Sequence, residues 1–544
     1  MLCEAKDQCT IAALRPRYVP DSHQIERKRT MASHTDSPSD GVLFTDQYQL
    51  TMAQLYFERE LHERPAQFDY FFRRYPNYGR HQAGYAVFAG LDPLLDWMEE
   101  TRFTAPDLDL LRSQENRLGH RRFGDDFLEW LESKAGFEDV VITAVPEGRV
   151  VHANAPIAII EGPLALVQIL ETALLNHLNY PTLIATKASR IHEAAGGRPS
   201  LEFGMRRGPA FGANAGGRAA LIGGADFTSN VGVSHKMGVD PKGTHAHSMV
   251  QVFMALGYGE LEAFRAYAEV YPDDCILLVD TIDTLESGIP NAITVFDELR
   301  AGGHRPVGVR LDSGDLAYLS IEAADLLDAA GFAEVDIVLS GNLDELEIWQ
   351  IRAQILDEFA RAGRDPSNLM NRLVYGVGTR LITSQGHEAL DGVYKLVALH
   401  RDQKWVPAIK VSDTPEKVPI PGKKHVWRIY DSRGRATADV VGRAGEKLPD
   451  GQLVLHHPHR EGVFRKIERD EITKVEDLLV EVFRDGRRTL PAPDLEEMRA
   501  RRIADLDSLD VGVRRLINPH IYHVSLTEAM KQLQVELVEG ARGQ

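Results

Sequence analysis

Four short apolar runs, "CILLVD", "PVGVRLD", "VDIVLSG" and "LVYGVG", recur between residues 275 and 378, with helix-like stretches after the first three. Their apolar character is continuous rather than alternating, which marks strands buried on both faces. The alternation of strand and helix spans residues 199 to about 400, and repeated βα units with short loops lead to a parallel barrel or a doubly wound sheet. Polar residues recur where these strands end: Asp280, Arg310 with Asp312, Ser340 with Gly341, and Gly378 with Thr379. A barrel gathers its chemistry at that face, whereas an open sheet concentrates it at one switch point. Chemistry on four strand ends favours the barrel.

The flanks have a different texture. Residues 1–40 read as a polar tail, with Ser-, Asp- and Pro-rich "MASHTDSPSDG" unlikely to pack and Met31 a candidate translation start. Leu50, Ala53, Gln54 and Phe57 fall at helical spacing behind Thr45-Asp46, and "PAQFDYFFRRYP" reads as a strand. Helices are expected from about 85 to 136, then short β-rich runs in "VPEGRVVHANAPIAIIEGP", then a helical stretch interrupted by Pro181. After about 400 the chain turns charged and β-like ("KWVPAIKVSD", "HVWRIYD", "GQLVLHHP") and completes the small sheet domain, and residues 490–544 read as largely helical and solvated. The expected divisions are 1–40, 41–185, 186–400 and 401–544.

Bulk properties exclude several function classes. The 544 residues carry 62 Lys and Arg against 80 Asp and Glu, a formal charge of −18. That balance argues against nonspecific nucleic-acid binding and against adhesion to an anionic membrane, but leaves a locally basic phosphate pocket open. Cys3, Cys9 and Cys275 are too few for a disulfide framework. No apolar run reaches the length of a membrane span, and the first residues make a poor signal peptide, so a reduced, cytoplasmic setting is expected.

Each candidate motif has a functional and a plainer reading. In "GVRLDSGDLAYLS", Arg310 can hold a carboxylate or phosphate in its fork while Asp312, Ser313 and Asp315 hold sugar hydroxyls or magnesium; the plainer reading is an Asp N-cap behind a Gly turn. Asp280 and Asp283 in "LVDTIDTLESGIPNA" divide the same way between ligand and cap. "VLSGNLDE" and "YGVGTRL" are Gly turns on consecutive strands, as in the phosphate sites of many barrels, and no P-loop is present. Arg206 and Arg207, in the small-residue segment "EFGMRRGPAFGANAGGRAALIGGADFTSN", either bind an acid or are solvated. In "GVDPKGTHAHSMVQV", His245 and His247 can be zinc ligands, a general base, a phosphate carrier or filler; zinc lacks a visible third ligand.

Taken in order, "TDQYQLTMAQLYF", "EFGMRR", "GGADFTSNV", "GTHAHSMV", "LVDTIDTLESGIPNA", "GVRLDSGDLAYLS", "VLSGNLDE", "YGVGTRLITS" and "GVYKLV" resemble the nicotinate phosphoribosyltransferases, from about Phe44 to about Tyr430. The resemblance implies an irregular, incomplete α/β barrel beside an α/β sandwich built from both ends of the chain, working as a homodimer. It implies that nicotinate and 5-phosphoribosyl 1-diphosphate are joined to give nicotinate mononucleotide and diphosphate, in NAD biosynthesis, with ATP as co-substrate through a phosphohistidine. By resemblance His247, in the family's Ala-His position, carries the phosphate, and His245 stands where the family usually has another residue. Asp280 and Asp312 would face ribose hydroxyls and magnesium–diphosphate, with no metal held by protein ligands directly. Arg206 and Arg310 would hold the substrate carboxylate or the ribose-phosphate, and Phe203 belongs to the substrate site. Gly341, Gly378 and Thr379 would cradle the 5-phosphate, and Tyr48 would stack on nicotinate from the other subunit. Nicotinamide and quinolinate phosphoribosyltransferases are the rival enzymes; a non-catalytic nucleotide-binding protein on the same scaffold is the rival of another class.

Overall fold

The computed structural model describes residues 41–79, 81–412 and 414–542. The tail at 1–40, with Met31, Cys3 and Cys9, lies outside the described residues.

Six short strands form one all-parallel sheet: β1 (Ser200–Glu202), β2 (Phe227–Thr228), β3 (Ile276–Leu278), β4 (Gly308–Leu311), β5 (Asp336–Leu339) and β6 (Leu373–Val377). Their order is β2-β1-β6-β5-β4-β3, so β2 and β3 are edges that do not pair. The sheet is nevertheless curled. The backbone N–H of Lys242 donates to the Thr228 carbonyl on β2, and His245, three residues on, accepts from Leu278 N–H on β3. Three residues span at most about 11 Å, so the two edges face each other across a narrow seam. This is the expected incomplete barrel. Its outer face packs Leu277, Val309, Leu311, Ile337 and Leu339 against the surrounding helices. Its inner face holds a small cluster of Leu201, Val338 and Val374, with Phe203, Phe227 and Ile276 packed on it.

The helices after β3, β4 and β5 start on aspartate caps. Asp283 accepts from the N–H groups of Leu285 and Glu286, Asp315 from Ala317 and Tyr318, and Asp344 from Leu346 and Glu347. Such caps stabilise a helix start by satisfying its free N–H groups. The plainer reading therefore holds for Asp283 and Asp315.

Beside the barrel lies a seven-stranded antiparallel sheet, ordered 404–407, 392–401, 65–72, 158–163, 141–144, 480–484, 487–488. Strand Pro65–Phe72 is an interior strand, paired with Ala158–Pro163 on one side and Gly392–Arg401 on the other. A second six-stranded sheet comes wholly from residues 424–526. Its Val426, Val441 and Leu526 join the same core as Phe68, Ile142, Ile160 and Val482. A buried ion pair, Lys424 Nζ to Asp69 Oδ2 at 2.5 Å, ties the two sheets. The stretch from residue 490 is largely helical, as expected, with helices Leu495–Ser508, Val511–Arg514 and Glu528–Arg542, but it also holds strand His523–Leu526 before the last helix, which pairs in parallel with Ala436–Arg443. Four residues of "HVSL" are too few for periodicity to separate from a helix.

Helix Glu171–Ala195 joins the two halves. Its Leu174, Leu178 and Leu183 enter the sandwich core, and its Ile184, Ala185, Ala188 and Ile191 enter the barrel core. Pro181 inside it cannot donate to the His177 carbonyl. Gly90 (φ +100°) crosses at that point, where a Cβ would meet the His177 oxygen at 1.9 Å. Lower on the same helix, Lys187 and Arg190 reach Glu345, the first residue of the helix after β5. Glu345 is wholly buried, with Lys187 Nζ at 2.7 Å, Arg190 Nε at 3.2 Å and His81 Nε2 at 2.8 Å. Burial alone would raise the Glu345 carboxyl, but His81, Lys187 and Arg190 outweigh it and hold the group well below the usual carboxylate range.

Candidate active site

The C-terminal ends of the barrel strands bring most of the sequence candidates together. Arg310 on β4 points inward, in register with Val338. Its guanidinium donates to three side chains: Nε to Ser340 Oγ at 2.8 Å, Nη1 to Thr244 Oγ1 at 3.1 Å and Nη2 to Asp312 Oδ1 at 2.8 Å. It also lies 5.5 Å above the ring of Phe203. Ser340 in turn donates to Asp312. One arginine thus fixes the ends of β4 and β5 and the histidine-bearing turn.

Asp280, just past β3, is the neighbouring carboxylate. Its Oδ2 accepts from Ser313 Oγ at 2.5 Å and from Asp312 N–H at 3.3 Å. Its Oδ1 is buried with no hydrogen-bond partner among the described residues. That oxygen faces His247 Nε2 at 3.8 Å, from a side chain only 3% exposed, while the imidazole is 38% exposed. A buried carboxylate oxygen without a partner is costly, so this position calls for a donor or cation, from water or from a ligand. His247 is the first residue of helix His247–Ala255, and its Nδ1 lies 3.0 Å from Thr281 Oγ1. With the proton on Nδ1 directed to Thr281, Nε2 is left as the acceptor, on a ring that is partly exposed.

The neighbouring His245 is built differently. Its Nε2 accepts the Leu278 N–H at 3.1 Å, and its ring packs on Tyr267 and Phe264. Burial, then Arg310 and His247, push its imidazole down to about 4 against the opposing pull of the Ala246 carbonyl. His245 is therefore a neutral acceptor tied to the backbone, and His247 bonds the Thr281 side chain instead. Among the described residues no three His, Cys, Asp or Glu side chains form a metal-binding group.

The two Gly turns lie side by side, on paired strands β5 and β6. Arg380 bonds them, Nε to Asn342 Oδ1 at 3.1 Å and Nη1 to Asp344 Oδ2 at 2.7 Å. Gly341 has φ +100°, and a Cβ there would stand 2.1 Å from the Asp312 carbonyl oxygen. Gly341→Ala is therefore expected to displace Asp312 at a cost of about 1–3 kcal/mol. A thermal unfolding midpoint and substrate KM both equal to those of the parent would contradict this. Gly378 passes Phe203, with 3.3 Å from its would-be Cβ to the Phe203 carbonyl oxygen, and Thr379 opens the short turn Thr379–Ile382.

Arg206 sits in the exposed single turn Met205–Arg207, beside Phe203 but outside the Arg310 cluster. Tyr48 is not brought to the site within this chain: it is 49% exposed on helix Gln47–Glu58, near Glu171 and Asp46. Sequence reasoning missed Thr281 and Thr244 as partners of His247 and Arg310; their only signal was adjacency to strand-end Asp280 and to the His pair. It also missed Glu202 at the end of β1. This buried carboxylate holds the Phe203 turn through Gly204 N–H and takes the Thr228 hydroxyl at 2.6 Å. Burial raises its pKa, against those two hydrogen bonds.

Two family descriptions match the chain: the nicotinate phosphoribosyltransferase (NAPRTase) N-terminal domain over residues 43–179, and the nicotinate phosphoribosyltransferase C-terminal domain over residues 423–534. The chain is 40% identical over 491 residues to the nicotinate phosphoribosyltransferase of Bacillus subtilis (strain 168), covering 89% of this chain and 93% of that protein. It is 32% identical over 554 residues to the Homo sapiens nicotinate phosphoribosyltransferase, covering 92% and 97%. The crystal structure of human nicotinic acid phosphoribosyltransferase superposes with a TM-score of 0.75 at 30% identity, over 91% of this chain and 99% of that one. The nicotinate-nucleotide pyrophosphorylase of Pyrococcus furiosus shares the fold, with a TM-score of 0.60 at 23% identity, over 91% and 99%.

Proposed function

The chain belongs to the nicotinate phosphoribosyltransferase family, and on that premise we propose that it joins nicotinate to 5-phosphoribosyl 1-diphosphate with ATP hydrolysis coupled through phosphorylated His247. It is a transferase of NAD biosynthesis. The observation that carries the finer reading is the pairing of a partly exposed His247 with the buried, unpartnered Asp280 Oδ1, beside the Arg310–Asp312 cluster.

The pyridine nitrogen of nicotinate attacks the anomeric carbon as diphosphate leaves, and positive charge develops on the sugar. Carboxylates fixed near the ring stabilise that charge without reorganising. Asp312, locked by Arg310 and Ser340, and Asp280, locked by Ser313, have that rigidity. Magnesium arriving with the diphosphate would neutralise leaving-group charge, and Asp280 Oδ1 would accept a hydrogen bond from its water shell. Nicotinate is an anion, and Arg206 and Arg207 next to Phe203 offer the cations it needs. The paired Gly turns at 341 and 378–379 leave room for a phosphate against backbone.

For the coupling, His247 Nε2 takes the γ-phosphoryl group of ATP as the bond to the β-phosphate breaks and ADP leaves. Thr281 holds the ring at Nδ1, and Asp280 Oδ1 lies 3.8 Å from the reacting Nε2. The phosphorylated ring brings added negative charge beside the carboxylate, which favours a cation between them. A homodimer with Tyr48 reaching the partner's site is part of the same proposal. It is supported by the largely exposed apolar helix His247–Ala255 and its neighbourhood, where Val252, Met254, Leu256 and Tyr258 lie open.

Parallel assays with nicotinate, nicotinamide and quinolinate, each with and without ATP, test the assignment. Turnover of nicotinate, stimulated by ATP, is the expected result. Turnover of nicotinamide alone would overturn it.

A further inference from the structure

The seam between β2 and β3 is filled by the turn that carries both histidines. On one side Lys242 N–H donates to Thr228 O, and Lys242 Nζ lies 5.4 Å above the Phe227 ring. On the other side two contacts run in step. His245 meets Leu278, and two residues later His247 meets Asp280 and Thr281. Advancing both chains together is the register of a parallel strand pair, yet the link from His245 comes from a side chain, not a carbonyl.

Resting on the reading of His247 above, we infer that His245 is a positioning residue, whose Nε2 replaces a strand carbonyl at the barrel seam and sets the distance between His247 and Asp280. Leu278 lies on an edge strand, and its N–H is held in a part-buried position. Without His245 that donor has no replacement in the seam, and an unpaired donor there is costly. The ring adds a second constraint by packing on Tyr267 and Phe264 of the helix Glu260–Val270, which stops the turn from rotating. The sequence peculiarity of a second histidine thus has a geometric use: one imidazole anchors, the other reacts. A residue without an acceptor at this reach would leave the turn held by Lys242 on Thr228, by Thr244 on Arg310 and, on the β3 side, by the His247 ring on Thr281 alone among the described contacts.

Three variants test this: His245→Phe keeps a ring without the acceptor, His245→Gln keeps an acceptor, and His245→Asn has an amide too short to reach Leu278. Hydrogen exchange at the Leu278 amide and acid-labile phosphate per chain after incubation with ATP are the readouts. In His245→Phe, exchange at Leu278 should rise about tenfold or more and phosphate transfer should slow by about tenfold, while the nicotinate KM of the ATP-free reaction stays within about twofold. His245→Gln should restore both. Should His245→Phe fail to fold, His245→Asn stands in with the same expectation. Unchanged Leu278 exchange in the acceptor-free variant overturns the proposal, as does a His245→Gln that protects Leu278 but takes no phosphate. If the native chain takes no phosphate at all, the His247 reading fails, and Leu278 protection alone still decides whether His245 is the pin.

Discussion

His247→Ala should take up no acid-labile phosphate from ATP and should lose ATP stimulation entirely, with kcat/KM for 5-phosphoribosyl 1-diphosphate falling by about 10²-fold or more under ATP-coupled conditions. The fold should survive, because the imidazole is partly exposed and its loss removes one contact to Thr281. Residual ATP-independent turnover should remain, since Arg310, Asp312 and the Gly turns are untouched by the change. The split between lost coupling and retained basal chemistry distinguishes a phosphate carrier from a general base: a base would lose both reactions together. Labelled ATP and paired assays with and without it read both arms, and a variant that keeps ATP stimulation would remove His247 from its role.

Sequence alone carried the barrel because β3 to β6 are continuous apolar runs with polar ends. It also placed Asp280, Arg310, Asp312, Ser340 and Gly341 at those ends, where the structure brings them together. What it left open was orientation. Asp280 and Asp283, or Asp312 and Asp315, are the same residue type three positions apart, and one of each pair turns out to cap a helix while the other lies in the candidate site. His245 and His247 are likewise chemically identical in a sequence. Only the Leu278 N–H and the packing on Tyr267 show which one is tied down. Strand His523–Leu526 and the pairing of Pro65–Phe72 with Gly392–Arg401 depend on partners far along the chain, which local periodicity does not encode.

The largest effect on stability should come from Glu345→Gln. The carboxylate neutralises Lys187 and Arg190 inside the protein, and all three side chains are almost wholly buried. Breaking one partner of such a buried group costs about 3–5 kcal/mol, because charge is left without compensation. The apparent thermal midpoint should drop by about 3–5 °C. The pH dependence has a definite direction. The folded carboxyl is held below its ordinary value of 4.5, so its contribution is fully present above that pH and drains away as pH falls below it. Glu345→Gln should therefore lose more stability relative to the parent at pH 7 than at pH 3. Thermal melts of both proteins at the two pH values measure the difference, and an equal gap at both would contradict the account.

The interior strand Pro65–Phe72 is flanked on one side by Ala158–Pro163 and on the other by Gly392–Arg401, more than 300 residues later. During synthesis the first half of that sheet must wait, with an open hydrogen-bonding edge, until the whole barrel has left the ribosome. At about 5–20 residues per second that delay is tens of seconds, long enough for unpaired edges to find one another. The barrel is thus an insertion whose own folding brings the distant strand home. A chain stopped before residue 392 should aggregate through the exposed flank of Phe68, Tyr70 and Phe72, even though every residue up to that point is native.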